Sequence, residues 1–234
     1  MSGLFDGLGQ KAASALAKAK WTYTALTGTE EESLAAEHEL GAHMARSYLE
    51  EVPLIQDANL QESLRSIGKR LADWVSNRKR EFHFGCVASV EPLAIAVPGG
   101  FIFVSVGLVD LCRGHEDWLA GVVGHEIGHV VKNHAFEKAV ASKFVQLLSK
   151  GAMVGGPLKR AALGLVTNFL DKGYSEDQEF EADVFGVRLA HAAGFHAGGL
   201  MQLLKSPGFQ SLQSPFLSSH PSATERIENL RSSF

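Results

Sequence analysis

The sequence predicts an α+β fold, a mostly helical single domain with a small β-sheet ahead of one glycine-rich helix. Three observations carry this. Apolar residues recur at helical spacing on both sides of the centre, and the stretch 82–106 switches to β-branched and aromatic residues around Pro98-Gly99-Gly100. Between the strands and the later helices stands Gly121–His134, GVVGHEIGHVVKNH, with two histidines four positions apart.

In chain order, residues 1–28 read as an N-terminal amphipathic segment and 29–234 as one domain, without a repeat or a separating linker. Leu4, Phe5, Leu8, Ala12, Ala15, Leu16 and Ala19 share one side of residues 1–20, beside Lys11, Lys18 and Lys20. Two readings of this face stand: peripheral contact with a membrane surface, or docking on the domain or a partner. Thr29 with Glu32 has capping-box spacing and opens a helix that runs to about Glu51, before Pro53. A second helix is expected over about Ala58–Asn77, with Leu60, Leu64, Ile67, Leu71, Trp74 and Val75 on one side. His38 and His43 read as surface or packing residues. Strands are expected at Phe82–Val90, Leu93–Val97 and Phe101–Val106, the last with Phe101, Phe103 and Ser105 facing opposite to Ile102, Val104 and Val106. Helices should follow from about Glu116, over Ala135–Ser149 and Leu158–Leu170 with a glycine-rich break between, over Ser175–Ala193, near Gly199–Leu204 and over Ser222–Arg231. Ser206–Ser219 reads as a long loop.

A chain of 234 residues holds one substantial core, and its 45% apolar and 21% charged residues suit a globular protein rather than a disordered one. The net charge of −4 gives nucleic acid no electrostatic reason to bind. Cys86 and Cys112 form no CxxC pair and read as buried thiols. No secretory signal is legible in residues 1–28, and the longest uncharged run, Pro92–Val109, is broken by Pro98-Gly99-Gly100. The expectation is a cytoplasmic protein with an option of membrane association.

On a helix, residues four apart lie one turn above each other on the same face, so His125 and His129 can aim ring nitrogens at one metal ion while Glu126 sits on the rim. A catalytic zinc takes three protein ligands and keeps one open position. Six residues after His129 stands Ala135, so no third histidine follows at that spacing, and His134 suits a surface or supporting role. The acidic stretch SEDQEFEAD, Ser175–Asp183, is the better source. Glu179, Asp183, Gly186 and Ala190 share one helical face, which assigns Glu179 as third ligand and Asp183 as acceptor of a ligand histidine's second N–H. Glu181 points elsewhere and reads as a solvated or paired charge. Gly121, Gly124 and Gly128 lower helix propensity by about 1 kcal/mol each, which implies close approach of another backbone.

HEIGH followed fifty residues later by Glu179-Phe180-Glu181-Ala182-Asp183 resembles the gluzincin family of HtpX- and BepA-like proteases, metallopeptidase family 48, and its soluble BepA-like branch in particular. The similarity extends from about Glu30 to Arg231 and includes Pro98-Gly99-Gly100, His220-Pro221 and Glu225-Arg226-Ile227. It departs at Leu93 and Glu176, where the family often has asparagine and arginine.

The resemblance implies a zincin-type catalytic domain with one zinc ion per chain, held by His125, His129 and Glu179. It implies Glu126 as general base in peptide-bond hydrolysis, and His220 as a fourth ligand of a resting state or a donor to the oxyanion. Gly100, Phe101, Ile102, Phe103 and Val104 are expected to bind substrate backbone along an exposed edge of the third strand, favouring unfolded or extended polypeptides and a quality-control role. The alternative is a zinc-stabilised, chaperone-like binding or assembly factor that cuts little.

Overall fold

The computed structural model describes residues 28–141, 173–212 and 220–233. The amphipathic segment before Gly28, the break and helix expected over 151–170 and the loop residues 213–219 lie outside them.

Helix α1, Glu30–Glu51, begins at the expected capping box: the Glu32 N–H donates to Thr29 Oγ1 at 3.3 Å, and the Thr29 N–H to Glu32 Oε2 at 2.8 Å. Helix α2, Ala58–Ala72, is capped by Asp57 and buries Leu64, Ile67 and Leu71. It stops five residues before the expected Asn77. The Trp74 and Val75 N–H groups turn back to Leu71 and Ala72 carbonyls, which buries Val75 and leaves Trp74 58% exposed.

Three strands form one sheet in the order β1-β3-β2: β1 His83–Val87, β2 Ala94–Val97 and β3 Phe101–Ser105. β3 pairs parallel with β1, from His83 opposite Phe101 to Val87 opposite Ser105, and antiparallel with β2. This corrects the expected substrate edge. Both edges of β3 are consumed inside the sheet, so Phe101, Ile102, Phe103 and Val104 offer no free backbone. A period of two reveals which way side chains face but not which strands are neighbours. The faces themselves follow the alternation. Ile102 and Val104 join the main core, and Phe103 packs with Leu40, Met44 and Tyr48, with Phe101 at its margin.

Pro98–Gly100 forms a tight 3-10 turn with Gly99 at φ 73° and Gly100 at φ 83°, a conformation that favours glycine. Gly100 also has no room for a side chain, since a Cβ there would lie 2.0 Å from the Glu81 carbonyl oxygen.

Ser105 ends β3 one residue before the expected Val106. Its hydroxyl accepts the Leu108 N–H and starts α3, Val106–Leu111. Next come α4, Glu116–Val131, which carries HEIGH, and α5, His134–Ala141, separated by Asn133 at φ 63°. Helix α6, Glu176–Ala192, is capped by Ser175 with Gln178 completing the box. The helices α7, Gly199–Lys205, and α8, Pro207–Gln210, precede α9, Ala223–Ser233. Ser206 caps α8 inside what read as loop.

The main core joins α2, the sheet, α4, α6 and α7. Cys86 and Cys112 are free and buried, and burial pushes their thiols up to about 11 and about 12. Among the described residues no helix is long and apolar enough to cross a membrane.

Candidate metal centre

The glycines of α4 are where its neighbours come closest. A Cβ on Gly124 would sit 2.8 Å from the Gly186 carbonyl oxygen, and one on Gly128 would sit 3.1 Å from Ala182. A Cβ on Gly186 would in turn meet the His125 backbone nitrogen at 2.5 Å. Helices α4 and α6 therefore touch backbone to backbone, and this brings Glu179 and Asp183 against His125 and His129. All four side chains are buried, Glu179 and Asp183 to 0% exposure.

His125 Nε2 and His129 Nε2 face each other at 3.0 Å. Glu179 faces both, with Oε2 3.5 Å from His125 Nε2 and Oε1 3.7 Å from His129 Nε2. Glu179 Oε1 is buried without a hydrogen-bond partner among the described residues. His220 comes from the start of α9's approach, and its Nδ1 lies 2.5 Å from Glu179 Oε2. Burial opposes the charge on Glu179, but the His220 contact outweighs it and leaves the carboxyl lowered.

Supporting contacts hold each imidazole. Asp183 Oδ1 accepts from His125 Nδ1 at 2.7 Å, which directs Nε2 into the centre. Asp183 is itself gripped by Arg226 of α9, whose Nε donates to Oδ2 at 2.9 Å and Nη2 to Oδ1 at 2.6 Å. Burial works against the Asp183 charge, yet Arg226 and His125 hold its carboxyl well below the usual range. For His125, Asp183 overcomes burial and raises the pKa.

A second relay serves His129. Its Nδ1 is 3.1 Å from His134 Nδ1, and His134 Nε2 is 3.2 Å from Glu181 Oε2. A His134 that donates Nε2–H to this carboxylate accepts at Nδ1, so His129 donates Nδ1–H and keeps the Nε2 lone pair. Burial lowers the pKa of both histidines. Glu181, 2.6 Å from Lys132 Nζ, is thus a paired charge that also orients the site. Tyr174 stacks on the His129 ring, with centroids 3.8 Å apart at 17°, and Lys138 Nζ lies 4.1 Å from the Tyr174 centroid.

Glu126, on α4 next to His125, is buried, and desolvation pushes its carboxyl up to about 7. The sequence-based site residues His125, Glu126, His129, Glu179, Asp183 and His220 therefore gather in one place. Gly100 and Phe101–Val104 stand apart, in the turn and the sheet centre. Arg226 stands in the Glu225-Arg226-Ile227 stretch that carries the resemblance, but its role was not legible, because a buried arginine in the last helix reads like a surface one. Tyr174 carried no signal, since a tyrosine before a helix cap reads like any other.

Comparison with known proteins supplies the family. The profile described as peptidase family M48 matches residues 58–233, which is most of the chain. The chain belongs to peptidase family M48. Among the relatives of this M48 chain, mitochondrial metalloendopeptidase OMA1 of Schizosaccharomyces pombe is 31% identical over 67% of the chain and 47% of its own length. Metalloprotease YcaL of Escherichia coli is 31% identical over 72% of the chain and 67% of its own length. The beta-barrel assembly-enhancing protease of Escherichia coli is 26% identical over 85% of the chain and 44% of its own length. The chain thus spans about half the length of two of these relatives.

M48 membership implies a metal cofactor, typically zinc, and the residues present fit one. Zinc with bonds of about 2.0–2.2 Å in tetrahedral geometry sets its donors about 3.3–3.6 Å apart. The two Nε2 atoms are 3.0 Å apart, and the Glu179 carboxylate reaches them with separate oxygens, Oε2 at 3.5 Å from His125 and Oε1 at 3.7 Å from His129, distances that bracket that range. Glu179 Oε1 supplies an anionic donor that no hydrogen bond among the described residues uses.

Proposed function

We propose that this M48 chain is a zinc metalloendopeptidase that hydrolyses peptide bonds in unfolded or extended polypeptides. The observation that carries the reading is Glu179, whose buried Oε1 has no hydrogen-bond partner among the described residues and faces His129 Nε2 at 3.7 Å, while its Oε2 faces His125 Nε2 at 3.5 Å. In this reading His125, His129 and Glu179 hold the ion. When bound, the ion supplies Lewis acidity that brings the pKa of water to about 7 and polarises a carbonyl.

Glu126 acts as general base. A carboxyl lifted to about 7 by burial accepts a proton from the attacking water and gives it to the departing amine nitrogen. Asp183, clamped by Arg226, keeps the His125 ring turned so that Nε2 faces the centre. Glu181 does the same for His129 through His134. His220, resting on Glu179, either covers the centre or, after moving off, donates to the oxyanion.

The substrate strand is reassigned. Among the described strands β1 and β2 each pair with β3 on one side only. The outer side of β1 is met by Leu54 at Val87 and by the Ile55 N–H at the Cys86 carbonyl, whereas β2, Ala94–Val97, packs against α4, and its outer edge is where an extended chain would add. Backbone pairing reads sequence weakly, which suits quality control of unfolded chains. The name of the assembly-enhancing relative is in keeping with such a role.

The test removes the metal from the protein with a chelator, follows cleavage of a reduced, unfolded polypeptide, and restores zinc. Cleavage should vanish and return in the wild type, while Glu179→Gln should need far more zinc for any recovery. Cleavage that survives chelation, or equal zinc dependence in Glu179→Gln, contradicts the proposal.

A further inference from the structure

His38, Glu81 and His83 take no part in the peptidase reading, and from sequence His38 read as surface or packing. In the fold they converge: each offers one donor atom, and the three donors lie within 4.8 Å of one another. His83 Nε2 is 3.9 Å from Glu81 Oε2. The two imidazoles are 5.6 Å apart, and both rest on Phe101, His83 stacked at 4.6 Å and 21°, His38 at 5.1 Å.

The backbones that carry them are locked together. Glu37, next to His38, accepts the Gly99 N–H at 3.0 Å and Arg80 Nη1 at 2.8 Å. A Cβ on Gly99 would lie 2.6 Å from His38 Cα, and Gly100 abuts the Glu81 carbonyl. His83 pairs in register with Phe101. A groove of about 600 Å³ runs past His38 and Glu81 and gives an ion a path in. Side-chain exposures of 46% for His83 and 74% for Glu81 let both rotate inward over the distance that coordination needs.

We propose that His38, Glu81 and His83 form a second metal site, which binds a divalent transition ion and ties α1 to strand β1. Two imidazoles and one carboxylate suit zinc, nickel or copper and disfavour magnesium and calcium. The ion would stabilise the fold in proportion to its occupancy, since the unfolded chain separates His38 from Glu81 and His83. It would also stiffen the end of α4, because Arg80 reaches from Glu37 to Asn133 Oδ1 at 3.2 Å.

Calorimetric titration of the chelated full chain with zinc alone tests this. The wild type should take up two equivalents, one tight and one weaker, and Tm should rise further as the second binds. His83→Ala, at an exposed position, should keep the tight equivalent and lose the weaker one together with its increment in Tm. Glu179→Gln should do the reverse, which separates this site from the peptidase centre. Saturation of the wild type at one equivalent overturns the proposal. So does a second equivalent that persists undiminished in both His38→Ala and His83→Ala.

Discussion

At His129, the tautomer that leaves Nε2 usable depends on His134 and, behind it, on Glu181. Replacing His134 by alanine frees the His129 ring to rotate, and zinc affinity should fall by about 10–100-fold, the usual cost of losing an outer partner of a metal ligand. Competition with a chromophoric chelator measures this, and an affinity within twofold of wild type would remove His134 from the relay. Arg226 poses a different problem, because its removal strands a buried charge. Arg226→Met leaves Asp183 with His125 as its remaining partner and should cost about 3–5 kcal/mol, the range for breaking a buried ion pair. Denaturant unfolding of the chelated protein reads that cost without the metal's contribution.

At the scale of elements, the contact of α4 with α6 decides whether the ligands meet. Gly124→Ala gains up to about 1 kcal/mol of helix propensity. It also forces a Cβ to 2.8 Å from the Gly186 carbonyl, and overpacking of this kind costs about 1–3 kcal/mol. The expected balance is a lower Tm together with weaker zinc binding, because the same shift carries Glu179 away from His125. A raised Tm would mean that the helices have slack. This contact was legible beforehand: three glycines in one helix, and Gly186 and Ala190 on the carboxylate face of another, announce close packing. The cap at Thr29 was legible too, since hydroxyl and acceptor stand three residues apart. Strand order was not. The pleat of Phe101–Ser105 assigns its side chains to two cores, but the parallel partner β1 joins through contacts that periodicity does not encode, and so the sheet edges lie on β1 and β2. The end of α2 was misread by five residues because Trp74 and Val75 fit a helical stripe while the chain was already turning.

For the molecule as a whole, the main core encloses both thiols. With Cys86 and Cys112 pushed up to about 11 and about 12, thiolate is scarce at neutral pH, and burial blocks reagents as well. The native protein should resist thiol labelling, which should appear with global unfolding; rapid labelling of the folded chain would contradict the packing. HEIGH and the Glu179–Asp183 stretch were readable because metal chemistry demands particular residue types at particular spacings. Arg226, Tyr174 and the His38–Glu81–His83 group were not, because their meaning comes from tertiary juxtaposition of elements distant in the chain. The central claim is that one helix both holds the metal and supplies the base. Zinc content measured alongside cleavage of an unfolded polypeptide, for the wild type and Glu126→Gln, separates the two duties most directly. The account predicts one tightly held zinc in each and a fall in cleavage of about 10²–10⁴-fold in the variant, the range for loss of a general base. Undiminished cleavage by Glu126→Gln, or a wild type that holds zinc but cuts no faster than the variant, would contradict it.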